Sequence, residues 1–166
     1  MKQIIIIEGC DGQGKSFLAN QIMEKYRNHV YIHNAVTNDI PSLHHNTITT
    51  ALMAAHEHEV VIDRLHLSEH IYGTIFRDGP TYDVKQFDDN LNNMEDISFI
   101  KILCKIDKET SMNIHDSRLE IEMFNDVTKA YDMYDTIIDD LKLDGWIVYN
   151  WKTDNLNLDT FELTKK

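Results

Sequence analysis

Hydrophobic residues occur along the chain in short continuous runs, separated by longer segments with helical spacing. Five runs have the length of strands: residues 2–8 (KQIIIIE), 30–33 (VYIH), 59–63 (EVVID), 97–104 (ISFIKILC) and 146–150 (WIVYN). Continuous runs rich in β-branched residues are typical of parallel strands that are buried on both faces. The intervening segments predict helices at residues 15–27, 47–57, 65–76 and 84–94, and a long helix from Ser117 to Gly145.

This alternation of strands and helices predicts an α/β fold. Short buried strands joined by helices form a parallel sheet with helices on both faces, which gives three layers around five strands. The length and the lack of linkers or repeats predict a single domain over residues 1–166. Pro41 falls in a predicted loop, residues 107–116 are predicted as a loop or short helix, and the last dozen residues carry only a weak pattern.

The first strand is followed directly by GCDGQGKS at residues 9–16, which matches the pattern GxxxxGK[ST] in full. Glycines let the main chain wrap a phosphate so that successive N–H groups face its oxygens, and the helix that follows adds its positive end. In this pattern the lysine reaches the β- and γ-phosphates and the serine hydroxyl binds magnesium. The sequence therefore predicts ATP and Mg²⁺ as cofactors, with binding residues Gly9, Asp11, Gly12, Gln13, Gly14, Lys15, Ser16 and Phe17.

A second polar pair, Asp63 and Arg64, ends the third predicted strand. Ligands of open parallel sheets bind beyond the carboxyl ends of the strands, so the pair is expected at the mouth of the phosphate loop. A carboxylate there can orient magnesium through water, and an arginine can bind a phosphate with two parallel hydrogen bonds. We therefore predict that Asp63 serves the metal, beside Ser16, and that Arg64 binds the phosphate of the acceptor.

Both motifs resemble those of the thymidylate kinases. EGCDGQGKS is similar to their phosphate loop, in which a strand-end Glu, a Gly and a following acid precede GKS. DRLHLSEHIY at residues 63–72 is similar to their DRY-x-x-S-x-x-x-[YF] motif, and Glu122, Val127 and Tyr131 resemble a pattern on their helix after the lid. The resemblance implies a P-loop kinase fold and phosphoryl transfer to a (deoxy)nucleoside monophosphate. The compact chain looks most like the nucleotide kinases of DNA phages, which implies the host cytoplasm.

The resemblance also implies a lid at about residues 107–117 that closes over ATP. Family members with no basic residue inside the phosphate loop supply an arginine from the lid, and Gly12 and Gln13 leave this loop without one. A cation that reaches the transferring phosphoryl group strongly affects rate. Arg118 is the predicted donor of that charge, with His115 and Lys108 as substitutes. The predicted catalytic residues are therefore Lys15, Asp63, Arg64 and Arg118.

The acceptor side departs from the family pattern. Residues 33–37 (HNAVT) stand where thymidylate kinases carry an Arg-Glu-Pro segment, the FxxxR helix pattern is missing, and Leu65 replaces the aromatic residue of the motif. The resemblance therefore supports kinase chemistry more strongly than it supports specificity for thymine. The predicted acceptor contacts are Asp11, near the deoxyribose 3′-hydroxyl or the acceptor phosphate, together with Arg64, Ser68, Tyr72 and Arg77.

Three other interpretations are compatible with parts of the sequence. A P-loop kinase can phosphorylate a hydroxyl of a nucleoside, a small metabolite or a polynucleotide end, because the same loop serves all of these reactions. A nucleotide-binding regulatory module with little turnover is a non-enzymatic alternative. HLSEH at residues 66–70 also fits the H-x-x-E-H pattern of a zinc protease, although that interpretation leaves the phosphate loop without a role.

The net charge of the chain indicates which class of partner it can bind. The chain has 16 Lys and Arg against 28 Asp and Glu, a net charge of −12, which repels a polyanion over most of the surface. A small nucleotide held in a local basic pocket is therefore expected, and a nucleic acid polymer is not.

Two separate cysteines predict reduced thiols in a cytoplasmic protein, and the apolar run at residues 4–7 is too short to span a membrane. The oligomeric state stays open, with a homodimer as one option.

Overall fold

The computed structural model describes residues 2–35, 39–116 and 124–166. All five predicted strands are present, each within one residue of its predicted bounds. In chain order the elements of the described ranges are β1 (Lys2–Glu8), α1 (Lys15–Lys25), β2 (His29–His33), α2 (Ile40–Ala54), β3 (Glu59–Asp63), α3 (His66–Arg77), α4 (Val84–Asn92), β4 (Ile97–Cys104), α5 (Lys108–Asp116), α6 (Phe124–Leu143), β5 (Ile147–Tyr149), β6 (Asp154–Asn157) and β7 (Glu162–Lys165).

Strands β1 to β5 form one parallel sheet, as predicted, and their order in the sheet is β2-β3-β1-β4-β5. The central strand is β1, whose Ile4 aligns with Val60 of β3 and with Phe99 of β4. The four isoleucines of β1 are fully buried, which explains why its sequence is apolar without alternation. The carboxyl ends of β1, β3 and β4 are consequently neighbours at one edge of the sheet, and the predicted site residues follow these ends.

Helices cover both faces of the sheet, which confirms the three-layer prediction. One face packs against α2, α3, α4 and α6, with Ala51, Ile71 and Tyr134 among the buried residues. The other face packs against α1, through Leu18 and Ile22, and against the β6–β7 hairpin that follows β5. No helix in the described ranges has an apolar stretch long enough to cross a bilayer.

Helix α2 begins seven residues earlier than predicted, so the prediction of a loop at Pro41 was wrong. Pro41 occupies the first turn of the helix, where its missing N–H needs no partner and its fixed φ suits helical backbone. The carboxylate of Asp39 caps the helix by accepting a hydrogen bond from the backbone N–H of Ser42 at 3.2 Å. A proline that appears to break a helix thus marks its beginning.

The sequence also missed the antiparallel hairpin of β6 and β7. Its four-residue strands are polar and short, so their pattern is weak, and tertiary contacts hold them. The hydroxyl of Tyr26, just after α1, donates to the carbonyl of Leu158 at 2.6 Å, and Phe161 is buried against the sheet. In the segment 107–116, predicted as a loop or short helix, residues Lys108–Asp116 form helix α5. The predicted start of the long helix at Ser117 lies outside the described residues.

Candidate active site

Residues 9–16, here called the phosphate loop, connect β1 to α1 through backbone conformations that favour glycine. Gly9 has a φ of +135° and Gly14, which directly precedes helix α1, has a φ of +95°. A Cβ on Gly9 would lie 2.5 Å from the carbonyl oxygen of Cys104, the last residue of β4. The close approach of the neighbouring strand and the left-handed backbone together explain the glycine spacing.

Lys15 lies folded against the phosphate loop. It is only 8% exposed, and its Nζ donates to the carbonyl of Cys10 at 3.0 Å and lies 3.8 Å from Oδ1 of Asp11. Burial lowers the pKa of Lys15 and the nearby charge of Arg64 lowers it further, while Asp11 and Asp63 act in the opposite direction. The ammonium group is thus poorly hydrated, and an anion bound in the loop would stabilise its charge.

A cavity of about 260 Å³ opens beside the phosphate loop and the first turn of helix α1. It is lined by Asp11, Gly12, Gln13, Gly14, Lys15, Ser16, Phe17, Ile114 and Trp151. Trp151, which the sequence analysis missed, follows β5, and its ring centroid lies 5.8 Å from that of Phe17. The indole Nε1 is buried and has no hydrogen-bond partner in the described part of the chain. The sequence offered one indication of this role, because Trp151 directly follows the last predicted strand, at residues 146–150.

Gln13 has a buried side chain that holds the phosphate loop in place. Its Oε1 accepts a hydrogen bond from the backbone N–H of Ile106 at 2.7 Å, and its Nε2 donates to the hydroxyl of Ser111 in helix α5. The side chain therefore ties the loop to the segment that follows β4. Any contact of Gln13 with a bound phosphate would come from its main chain.

Asp63 lies at the carboxyl end of β3 and is almost fully buried. Its Oδ2 accepts hydrogen bonds from the hydroxyl of Tyr31 at 2.7 Å and from Nδ1 of His33 at 3.2 Å, both on the neighbouring strand β2. Its Oδ1 is buried without a hydrogen-bond partner among the described residues. One carboxylate oxygen is thus fixed by two hydrogen bonds, while the other is buried without a partner from the described residues.

Arg64 is brought to the phosphate loop by an unusual backbone conformation, with a φ of +69°. Its guanidinium contacts the carboxylate of Asp11 within the loop and lies 5.3 Å from the ring centroid of Tyr72 on α3. Burial works against the charge, but Tyr72 and Asp11 outweigh it and raise the pKa of Arg64. The structure thus joins three predicted residues, Asp11, Arg64 and Tyr72, beside Lys15.

Ser68 has internal hydrogen-bond partners, and its role as an acceptor contact stays a prediction. Its hydroxyl and its backbone N–H both donate to the buried carboxylate of Glu8, which also accepts from the backbone N–H of Leu65 at 2.7 Å. Glu8, at the end of β1, therefore caps the N-terminal turn of α3. In the sequence analysis, Glu8 was noted only as the strand-end Glu of the family motif, and no role was predicted for it.

Arg77 lies at the far end of α3, away from the other predicted residues. Its guanidinium pairs with the buried carboxylate of Glu69, which also accepts a hydrogen bond from the backbone N–H of Thr81 at 2.7 Å. Eleven residues separate Arg77 from the start of the helix, a rise of roughly 16 Å. Its observed contacts tie the end of α3 to the following turn.

Among the predicted lid cations, Lys108 is the one whose side-chain contact the structure gives. Lys108 begins α5 and its Nζ pairs with the carboxylate of Asp132 in α6. His115 belongs to α5, and Arg118 lies outside the described residues. Lys15 and Arg64 are predicted cations whose side chains lie at the phosphate loop.

The H-x-x-E-H pattern does not form a metal site in the structure. Nε2 of His66 lies 2.7 Å from Oδ1 of Asp88, whose Oδ2 accepts from Nζ of Lys101 at 2.7 Å. Glu69, the acid of the pattern, is engaged by Arg77. Across the described ranges, no group of three or more His, Cys, Asp or Glu side chains could hold a metal ion.

Comparison with solved structures identifies the architecture. YorR of Bacillus subtilis, in complex with phosphorylated GDP, superposes with a TM-score of 0.60 at 19% identity, over 89% of this chain and 84% of that protein. Deoxyadenosine kinase of M. mycoides with bound dATP gives a TM-score of 0.54 at 17% identity, over 95% and 94%. Thymidylate kinase of Candida albicans gives 0.54 at 16% identity, over 89% and 82%.

Sequence comparison alone adds no relative. No protein-family model matches the chain, and no curated protein matches it in sequence. The likeness is one of fold, at identities below 20%. The five-stranded parallel sheet with helices on both faces agrees with it. The chain therefore has the fold of the thymidylate kinase-like P-loop kinases, as the resemblance of its two motifs predicts.

Proposed function

We propose that this protein transfers the γ-phosphoryl group of ATP to a (deoxy)nucleoside monophosphate and so forms the diphosphate. The observation that carries the proposal is the placement of Arg64, whose guanidinium is held at the phosphate loop by Asp11 and Tyr72. A guanidinium matches the two oxygens of a phosphate group better than an ammonium does. A second phosphate-binding cation beside Lys15 favours an acceptor that itself carries a phosphate.

The donor would bind with its triphosphate in the phosphate loop. Main-chain N–H groups, the N-terminus of α1 and the amine of Lys15 all favour an anion there. The aromatic rings of Phe17 and Trp151 line the same cavity and offer apolar surface for the donor's base. These features support ATP as the donor, with its base beyond the loop and its γ-phosphate toward Arg64.

Magnesium is the metal that this site would hold. Mg²⁺ prefers oxygen ligands and usually takes one or two protein groups together with substrate phosphates. The hydroxyl of Ser16, exposed in the first turn of α1, and the buried Oδ1 of Asp63 fit that requirement, Asp63 acting through water. When bound, the ion neutralises charge on the β- and γ-phosphates.

The reaction needs no covalent intermediate with the protein. An oxygen of the acceptor phosphate forms a bond to the γ-phosphorus while the bond to the β–γ bridging oxygen breaks. Lys15 and Arg64 would hold donor and acceptor in line and offset the negative charge of both, so that positioning and electrostatics carry the catalysis. The segment at about residues 107–117 is the proposed lid that closes over ATP and excludes water, and Arg118 is the proposed donor of positive charge to the transferring phosphoryl group.

The proposal implies a small-molecule partner and a cytoplasmic location. A nucleotide is the expected partner, without a nucleic acid polymer, because the chain carries a net charge of −12. Cys10 and Cys104 are buried free thiols, which suits a reducing compartment. A homodimer remains one option for the assembly.

A panel of acceptors tests the proposed function. The protein is incubated with Mg-ATP and each ribo- and deoxyribonucleoside monophosphate, and ADP and the nucleoside diphosphate are measured together. At least one monophosphate should yield diphosphate, and Lys15→Ala should abolish the product. Lys25→Ala is the matched control, since Lys25 ends the same helix in an ion pair with Asp159. Full turnover by Lys15→Ala would remove the phosphate loop from the mechanism.

Phosphorylation of a nucleoside hydroxyl is the second candidate, because Oδ1 of Asp63 has no hydrogen-bond partner among the residues that the structure describes. A hydroxyl acceptor must lose a proton during transfer, whereas a phosphate acceptor at neutral pH need not, and a buried carboxylate oxygen could accept that proton. The same panel with unphosphorylated nucleosides separates the two. Turnover of nucleosides without turnover of monophosphates would replace the leading proposal by this one.

A further inference from the structure

Arg64 has a backbone conformation that a residue with a side chain seldom adopts. Its φ of +69° lies in the left-handed region, where the Cβ of an L-amino acid approaches the following carbonyl oxygen. Such a residue keeps this conformation only where surrounding contacts specify it, and such positions cluster at functional sites. The contacts that hold the backbone of Arg64 therefore matter to the direction of its side chain.

Two hydrogen bonds hold the Arg64 peptide groups on either side of this turn. Its backbone N–H donates to the carbonyl of Ile7 on β1 at 3.0 Å. Its carbonyl accepts from Nδ2 of Asn34 at 2.6 Å, and Asn34 is only 6% exposed. The backbone N–H of Asn34 in turn donates to the carbonyl of Asp63 at 3.0 Å. Asn34 thus spans the peptide unit that carries the unusual turn.

Thr47 fixes which way the amide of Asn34 points. The hydroxyl of Thr47, in the middle of helix α2, donates to Oδ1 of Asn34 at 2.8 Å and is itself buried. Since the amide oxygen is occupied by that donor, the amide nitrogen is the atom that faces the carbonyl of Arg64. Hydrogen bonds therefore run from Thr47 in helix α2 through the side chain of Asn34 to the carbonyl of Arg64, whose guanidinium contacts the phosphate loop.

We propose that Asn34 and Thr47 are positioning residues for Arg64, which they hold in the conformation that places its guanidinium beside Asp11 for the acceptor phosphate. The proposal rests on the proposed function for its kinetic consequence, although the structural link is independent of it. Asn34 stands in the segment where the chain departs from the thymidylate kinase pattern. The segment after β2 would thus act on the acceptor through Arg64.

The kinetic test compares Asn34→Ala, Asn34→Asp and Thr47→Val with the wild-type protein. Each Asn34 variant should raise KM for the monophosphate about tenfold, as expected for loss of one buried hydrogen bond of about 1.4 kcal/mol, and should leave KM for ATP within about twofold. Asn34→Asp keeps the shape and the acceptor for Thr47 but cannot donate to Arg64, so it should behave like Asn34→Ala. Thr47→Val should show a smaller rise in the same parameter.

Asn28→Ala is the matched control for these variants. Asn28 makes the same kind of contact at the opposite end of the sheet, from its Nδ2 to the carbonyl of Glu57 at 2.7 Å. It should leave both KM values unchanged. A merely structural role of Asn34 would lower the amount of active protein without a selective change in the acceptor KM. Equal changes in KM for ATP and acceptor, or no change in either, would overturn the proposal.

A stability cycle tests the link without any assay of activity. Arg64→Gly should hold the left-handed backbone without help, whereas Arg64→Ala should still need Asn34. Loss of Asn34 lets Arg64→Ala relax out of the left-handed region, and the released strain offsets part of the lost hydrogen bond, whereas Arg64→Gly has no such strain to release. Asn34→Ala should therefore lower the urea midpoint less in the Arg64→Ala background than in the Arg64→Gly background. Equal losses in the two backgrounds would overturn the positioning role. If the wild-type protein phosphorylates no monophosphate, the proposed function fails, and this cycle alone decides the role of Asn34.

Discussion

The indole ring of Trp151 lies against the main chain of Gly14, where a Cβ would fall 2.8 Å from the indole Nε1. Gly14 directly precedes the first helix, and Trp151 follows the last strand of the parallel sheet, so the contact joins residues that are far apart in the chain. The tryptophan thereby forms one wall of the cavity beside the phosphate loop. The backbone conformation of the phosphate loop at Gly14 and the position of the Trp151 ring therefore depend on each other.

Gly14→Ala should therefore damage both the loop and nucleotide binding. A methyl group would collide with the indole, and the φ of +95° would cost about 1–2 kcal/mol for any residue with a Cβ. We expect a loss of at least about tenfold in ATP affinity, from displacement of Trp151 or of the loop. Isothermal titration with an ATP analogue measures the affinity, and urea unfolding measures the stability.

Gly145→Ala is the control for this change. Gly145 has a φ of +82° at the end of α6, but no atom lies within 4 Å of an added Cβ. Its substitution should cost a similar backbone strain and leave ATP affinity unchanged. Wild-type affinity in Gly14→Ala would show that Trp151 and the loop can separate without consequence.

Binding of ATP should change the fluorescence of Trp151. The chain has two tryptophans, and Trp146 is buried in the core beside His66 and Lys101. ATP should quench the emission of the wild-type protein and of Trp146→Phe but not that of Trp151→Phe. Because ring stacking contributes about 0.5–1.5 kcal/mol, Trp151→Ala should weaken ATP binding about 2- to 10-fold.

Inorganic tripolyphosphate is the matching control ligand for this experiment. It carries the phosphate chain without a base, so it should bind in the loop and change the emission of Trp151 much less than ATP does. Equal quenching by the two ligands would mean that the base does not contact the tryptophan. Quenching that persists in Trp151→Phe would lead to the same conclusion.

Glu8→Ala should lower stability more than loss of an ordinary helix cap. The buried carboxylate accepts from the backbone N–H groups of Leu65 and Ser68 and from the Ser68 hydroxyl, which would all lose their partner. Each buried donor that loses its partner costs about 1–3 kcal/mol, so the three donors together give an expected loss of at least about 3 kcal/mol in the free energy of unfolding. Urea denaturation followed by circular dichroism measures it.

Asp83→Ala is the comparison for this prediction. Asp83 caps helix α4 through the backbone N–H of Gln86 at 2.9 Å in an exposed position, where water can replace the lost acceptor. The expected loss there is about 1 kcal/mol. Similar losses in the two variants would contradict the special role of the buried carboxylate.

Stability should fall as the pH is lowered from neutral because of His44. Burial lowers the pKa of His44 from 6.5 to about 4, and its Nδ1 lies 2.6 Å from the hydroxyl of Tyr82. The unfolded chain takes up the proton first, so stability is complete above pH 6.5 and is lost as the pH falls toward 4. The difference in pKa corresponds to about 3 kcal/mol at most.

Urea unfolding between pH 7.5 and pH 4.5 measures this dependence. His44→Gln should remove a large part of the slope, whereas His45→Gln should keep it, because His45 is the exposed neighbour on the same helix. The wild-type slope in His44→Gln would assign the pH dependence to other groups.

The strands could be predicted because their signal is local. A run such as the four isoleucines of β1 must be buried on both faces wherever the chain places it, and the glycine pattern of the phosphate loop encodes its own backbone. Helix α2 was predicted too short because Pro41 breaks a helix in most contexts and is tolerated only in the first turn. The β6–β7 hairpin was missed because contacts with Tyr26 and the sheet hold it.

The candidate site could be predicted in part. Lys15, Asp63 and Arg64 lie near one another, as expected from the meeting of the carboxyl ends of β1 and β3 at one edge of the sheet, and their roles stay predictions. Side-chain partners could not be read from the same pattern. Gln13 and Ser68 belong to matching motifs, yet both side chains are used in internal hydrogen bonds, since a motif fixes spacing and leaves rotamers to the surroundings.

The sequence by itself determined the parallel sheet, the phosphate loop and the polar pair beyond β3, because each follows from residues adjacent in the chain. Only the tertiary structure decided that Trp151 walls the cavity, that Glu8 caps α3, and that Asn34 holds the backbone of Arg64. These contacts join residues from separate elements, and their free energy arises only when packing removes them from water together.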